Sequence, residues 1–185
     1  MTNLEQDLAR RLTELRRARD WPLEELAERT CISRATLSRI ERGDTSPTAS
    51  VLGRLATAFN LSMAELFGAD SASVDRLIPR ETQSVWTDPE SGYRRRVLTP
   101  SASGYRGSMI EGTIPPGETV SYAAPPVPDL EHQLLLLEGA LRMTVGPDVY
   151  DLAPGDALRF RLNAPNSYHA AGTVPARYFL TVILP

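Results

Sequence analysis

Residues 22–43 read PLEELAERTCISRATLSRIERG. The spacing predicts two short helices joined by a tight turn. Pro22 suits the first turn of the first helix, where a missing N–H is harmless, and Leu23, Leu26 and Ala27 share its apolar side. Ser33 supplies a side-chain cap for the second helix, and Gly43 ends it. In that second helix Ile32, Leu37 and Ile40 fit a core. Arg34, Ala35, Ser38, Arg39 and Arg42 fall largely on the opposite side. A helix is slim enough to enter the DNA major groove, where arginine reaches guanine edges bidentately. Ser33, Thr36 and Arg42 are placed to hold phosphates, and the free N–H groups of the helix start favour the same partner. The same residues also fit a plain helical bundle with solvated arginines, so this stretch alone leaves both readings open.

Working outward, the first third of the chain is helical in pattern. Leu4, Leu8, Leu12 and Leu15 recur at helical spacing, with arginines and acids between them. Ser46-Pro47-Thr48 opens a fourth helix, with Val51, Leu52, Leu55, Ala58 and Phe59 facing in. A fifth, short helix follows Leu61-Ser62 and ends at Gly68. Residues 69–80, ADSASVDRLIPR, read as a linker. Beyond it the pattern changes. Thirteen of the fifteen prolines lie at or after residue 79. Alternating stretches such as Leu141–Val145 and Leu158–Leu162 are split by turns at Gly146-Pro147-Asp148 and Pro154-Gly155-Asp156, which predicts an all-β domain of sandwich or barrel type.

Bulk properties bound the function. The 185 residues suit one large or two small domains. No run approaches the roughly 18 apolar residues of a membrane helix, and the charged start MTNLEQDLARR lacks the apolar segment of a signal peptide. A single cysteine, Cys31, excludes an internal disulfide and suits a reducing cytoplasm. All 20 basic residues are arginine, which we read as codon bias. The net charge of −3 is uneven: residues 1–68 hold ten arginines against ten acids, and residues 69–185 hold ten against thirteen. No overall basic excess marks a nucleic-acid binder, so the case for DNA rests on where the arginines sit.

The stretch ELAERTCISRATLSRIERGDTSPTASVLGRLATAFNLSMAELF closely resembles the Cro/repressor-type (XRE-like) helix-turn-helix family. The resemblance covers about 65 residues. It is carried by LAER, the Ile32-Ser33 pair, TLSRIERG, the Ser46-Pro47-Thr48 helix start and the AFNLSMAELF tail. It implies a five-helix head in which Ser33 through Arg42 form the recognition helix, and Arg34, Ala35, Thr36 and Arg39 face bases or the adjacent backbone. It also implies that Glu41 and Arg16 tie the third helix to the first. Two positions depart from the family. Cys31 stands where glycine is usual, so a left-handed turn there costs about 1 kcal/mol. Pro22 stands where Ser or Thr often caps the second helix.

Glu138-Gly139, Gly146 and LAPGDALRF at 152–160, with IPPGETVS at 114–121 and the closing ARYFLTVILP, resemble the cupin family, a jelly-roll-type barrel. Metal-binding cupins are expected to carry two nearby histidines, a glutamate and a later histidine. Counted back from Gly139, the glutamate slot here is His132. The paired slots fall on Pro126 and Pro128, or Pro125 and Val127, and the last on Asn166. Proline has no side-chain ligand, so no metal and no other cofactor is expected. His132 is then either a hydrogen-bonded histidine beside a leucine-rich strand or part of an organic-ligand pocket with Tyr122, Asn166, Tyr168 and His169. Arg159 and Arg161 lie on the outer face or offer a cation to a ligand. The run Leu134–Leu137 reads as a strand buried on both faces. Arg94-Arg95-Arg96 reads as a solvated edge strand, with a contact to DNA as the alternative, and residues 88–92 as a turn.

The combined expectation is an α + β chain of two domains: a helix-turn-helix domain at 1–68, a linker at 69–80 and a cupin domain at 81–185. It is a cytoplasmic, non-enzymatic bacterial transcription regulator, a repressor by preference. A homodimer binds double-stranded DNA at a two-fold operator, and the metal-free cupin dimerises and senses a small-molecule effector. No membrane partner is expected. The alternatives are a regulator whose cupin only dimerises and a metal-dependent cupin enzyme.

Overall fold

The computed structural model describes residues 3–67, 76–102, 104–123 and 127–185. Five helices come first: α1 (Asn3–Arg17), α2 (Leu23–Thr30), α3 (Arg34–Glu41), α4 (Ala49–Phe59) and the single-turn α5 (Met63–Leu66). Their boundaries follow local chemistry. Ser33 Oγ accepts from the Thr36 N–H at 3.1 Å, Thr48 caps α4, and Ser62 and Glu65 form a reciprocal capping box on α5. Pro22 precedes α2 without a side-chain cap. Cys31 adopts the left-handed conformation, φ 52°, that the turn between α2 and α3 demands. Leu8, Leu12, Leu26, Leu37, Leu52, Leu55 and Phe59 fill the core between the helices. The side chain of Leu4, together with Gly68 and linker residues 69–75, lies outside the described residues; Arg76 and Leu77 are exposed.

Ten strands follow: β1 (Val85–Thr87), β2 (Arg94–Thr99), β3 (Gly107–Ile114), β4 (Thr119–Tyr122), β5 (Leu130–Glu138), β6 (Leu141–Val145), β7 (Asp148–Leu152), β8 (Ala157–Leu162), β9 (Asn166–Ala170) and β10 (Ala176–Ile183). They make a six-stranded sheet, β1-β2-β3-β10-β5-β8, and a four-stranded sheet, β4-β9-β6-β7, all pairings antiparallel. This is a jelly-roll of two sheets rather than one closed ring. Alternation sends Ile110, Leu134, Tyr178 and Leu180 from one sheet, and Val120, Met143 and Tyr168 from the other, into a common core. Tyr168 and Tyr178 stack with ring centroids 5.7 Å apart.

Two expectations are corrected. The run Leu134–Leu137 is not buried on both faces: Leu134 and Leu136 are buried, whereas Leu135 is 39% exposed. The sheet is antiparallel with one solvated face, so an apolar run still alternates. The arginine triplet is not an edge strand either, because β1 pairs outside β2. Period-two geometry then leaves Arg94 exposed and turns Arg95 into the barrel.

The two parts touch. Asp88 Oδ2 accepts from the Ala49 N–H at 2.7 Å, at the start of α4, while Asp88 Oδ1 accepts from the Glu90 and Ser91 N–H groups of its own turn. Trp86 packs against Phe67 with centroids 5.9 Å apart and donates through Nε1 to Ser46 Oγ. The 88–92 turn is therefore also a fastening between head and barrel.

Candidate functional site

The candidate DNA-facing surface is built by α3. Ile32, Leu37 and Ile40 are buried, which rolls Ser33, Arg34, Ala35, Arg39 and Arg42 onto the exposed side; Thr36 and Ser38 are half-buried at its margin. The helix is held from behind. Arg16 grips Glu41 bidentately at 2.7 and 2.8 Å and also donates to the Trp21 carbonyl at 2.8 Å. The hydrogen bond to Glu41 raises the Arg16 pKa further above its ordinary value. On the outer side the arginines are lightly tethered. Arg34 pairs with Glu24 at 2.8 Å, and Arg42 pairs with Asp44 at 2.8 Å and donates to Ser38 Oγ. Such exposed pairs contribute about 0–1 kcal/mol, so they hold the two guanidinium groups only loosely. Arg39 has no ion pair among the described residues.

The second site is a cavity of about 60 Å³ inside the barrel. Tyr122, His132, Asn166 and Tyr168 all line it. His169 does not. It follows Tyr168 on β9, so alternation points it to the other face, where Nδ1 meets Thr119 Oγ1 at 3.0 Å. The expectation that His169 joins the pocket is corrected on that ground. Arg159 and Arg161 are likewise exposed on the outer face.

Sequence reasoning missed Arg95. It is 4% exposed, lines the cavity, and its Nη1 has no hydrogen-bond partner. Its guanidinium lies 5.3 Å from the Phe67 ring centroid. His132 Nδ1 and Asn166 Nδ2 are also buried without a partner, in residues 7% and 4% exposed. The signal in the sequence was only the middle place in an arginine triplet; the register of β2 chose which of the three turns inward. Gly112 makes the space. It stands opposite both Arg95 on β2 and Tyr178 on β10, and a Cβ there would lie 2.2 Å from Tyr178 Cζ. The Tyr178 ring can therefore lie flat across β3, its hydroxyl donating to that of Tyr93 at 3.3 Å.

The electrostatics are one-sided. Burial, and then the charge of Arg95, lowers the His132 pKa from 6.5 to about 4, so the ring is neutral at pH 7. Burial pushes the hydroxyls of Tyr93, Tyr122, Tyr168 and Tyr178 up, so they stay protonated. The lining thus carries one fixed cation and no acid. One imidazole beside a guanidinium is a poor donor set for a metal ion, since the cation repels it and three further ligands are lacking. Among the described residues no group of three His, Cys, Asp or Glu side chains converges to hold one.

Comparison with known proteins agrees with this division. Residues 12–66 match the helix-turn-helix family model HTH_3. The whole chain is 26% identical to the HTH-type transcriptional regulator SutR of Escherichia coli K12, over 100% of this chain and 99% of that protein. Residues 12–66 are thus a helix-turn-helix domain of the HTH_3 type, in a chain similar along its length to a transcriptional regulator. The helical head and its barrel together share their fold with an HTH_3 family transcriptional regulator from Vibrio cholerae, at TM-score 0.79, 24% identity and 98% and 97% coverage of the two chains. The fold also extends to the iron(II) form of HppE, at TM-score 0.53, 17% identity and 98% and 100% coverage. No helix among the described residues is long and apolar enough to cross a membrane.

Proposed function

We propose that this regulator binds a two-fold operator as a homodimer and that its barrel holds a small-molecule effector without a metal. The observation that carries the first part is the exposed, lightly tethered arginine face of a capped α3. One head makes few contacts, and tight specific binding follows when a dimer spans half-sites about one turn apart. Exposed Leu135, Val149 and Tyr150 offer apolar surface of the kind a second copy covers. The second part is supported by a cavity with apolar walls and a few convergent polar groups, the usual form of a small-molecule site. Domain limits at 1–68 and 81–185, a cytoplasmic location and repression rather than activation belong to the same reading. No acid–base pair lines the cavity: His132 has no carboxylate partner there, which favours binding over catalysis.

Selection of bound DNA by the purified protein tests the core of it. A two-fold motif whose specificity is lost in Arg34→Ala and Arg39→Ala is the expected outcome. Weak binding that fades uniformly with salt, with no enriched motif, would overturn it.

A further inference from the structure

We infer that the effector is a small organic anion, seated by its oxoanion group on Arg95, His132 and Asn166, and that the DNA-binding head itself roofs the site. The inference rests on the sensing role proposed above and gives it a ligand class and a route.

Three buried polar groups are left unmatched in one cavity. A buried cation with no carboxylate beside it is costly even where a ring such as Phe67 faces it, and each missing hydrogen bond adds to that cost. Asp88, the acid whose charge is felt beside Arg95 at Tyr93 and Tyr122, is already spent on three backbone N–H groups. An oxoanion answers the whole set: it accepts from the guanidinium, from the Asn166 amide and from the neutral His132 ring in the tautomer that donates from Nδ1. The remaining wall is mostly hydrocarbon, with Ile110, Leu130, Leu162, Leu180 and Val182 beside the tyrosine rings, so the anion carries a hydrocarbon body. The volume fits a molecule of few heavy atoms.

The roof comes from the other domain. Gly53 of α4, with Ser62 and Met63 at the start of α5, closes the cavity. The contact has no slack: a Cβ on Gly53 would stand 2.8 Å from Tyr122 Cδ1. A ligand that displaces Tyr122 therefore pushes on α4. That helix follows α3 through a seven-residue loop, residues 42–48, and packs against α2 through the shared core. Occupancy then biases the pose of the recognition helices, and operator affinity changes by the difference in ligand affinity between the two poses.

The test uses full-length protein with acetate, pentanoate and benzoate, the primary amide of each, and inorganic phosphate. Thermal melting comes first. Without added anion, Arg95→Met is expected to melt about 3 °C above wild type, because a buried cation without an ion pair is gone. Arg95→Gln makes the same comparison should the methionine variant misfold. At least one carboxylate is expected to raise the wild-type melting temperature, its amide not to, and neither to affect Arg95→Met. A variant that melts several degrees lower, or stabilisation by the amides alone, would show a structural arginine and overturn the inference. Stabilisation by phosphate alone would overturn the organic ligand. The stabilising carboxylate should then shift operator Kd about 5-fold or more; an unchanged Kd would overturn the roof's role. Loss of any operator motif in the selection above, with the melting results intact, would instead sink the regulator reading and leave the anion site standing.

Discussion

Helix α3 and the barrel interior each hold an arginine with no ion pair among the described residues, and solvent gives the two opposite meanings. Arg39 stands on the exposed side of α3, where water satisfies it. Arg95 is 4% exposed, and water satisfies it poorly. The first is cheap to keep. The second is a standing cost that only a ligand or a role in the fold explains. Arg16 marks the third case, paired on both prongs by Glu41. Charge alone carries little information about an arginine's function; burial and pairing decide it.

Breaking the paired case should have the largest effect. Glu41→Ala leaves Arg16 half-buried without its carboxylate and should cost about 3 kcal/mol in denaturant unfolding, near the low end for a buried pair. A loss below about 0.5 kcal/mol would place the pair among weak surface contacts.

The barrel is sharpened by acid. The folded pKa of His132, about 4, lies below its unfolded value of about 6.5. The unfolded chain therefore binds the proton first. This contribution is fully present above pH 6.5 and is lost as pH falls through 4, a change of up to about 3 kcal/mol. Unfolding of wild type and His132→Asn should diverge over that window, the variant showing the flatter profile. Parallel profiles would mean that His132 is solvated.

Arg39→Ala should weaken specific operator binding by about 1–3 kcal/mol at fixed salt while leaving stability within about 0.5 kcal/mol. Equal loss on specific and random DNA would reassign Arg39 to a phosphate. The smallest effect is Ser33→Ala, where loss of the cap should lower stability by about 1 kcal/mol, read as a shift of a few degrees in melting.

The head was legible because its information is local. Helical period, the Ser33 cap, the Ser46-Pro47-Thr48 helix start and the departure at Cys31 are properties of neighbouring residues, and the structure follows them to the expected φ at the turn. The Glu41–Arg16 tie came from the family resemblance, and it too is present. In the barrel the strand pattern was readable, yet three side-chain directions were not. His169 was grouped with Tyr168, its neighbour on one strand, although neighbours face opposite ways. Leu135 was placed inside a run that alternates. Arg95 was taken for a surface charge because its own sequence neighbours are charged.

Sequence by itself thus determined which segments are helices and strands, where α3 begins, and which side of it carries arginine, because each of those depends on periods and caps within a few residues. Tertiary structure decided which arginine of the triplet turns inward, that Gly112 makes room for Tyr178, and that α4 and α5 close the barrel. Those depend on register between strands far apart in the chain and on the docking of one domain on the other, and no local pattern encodes either.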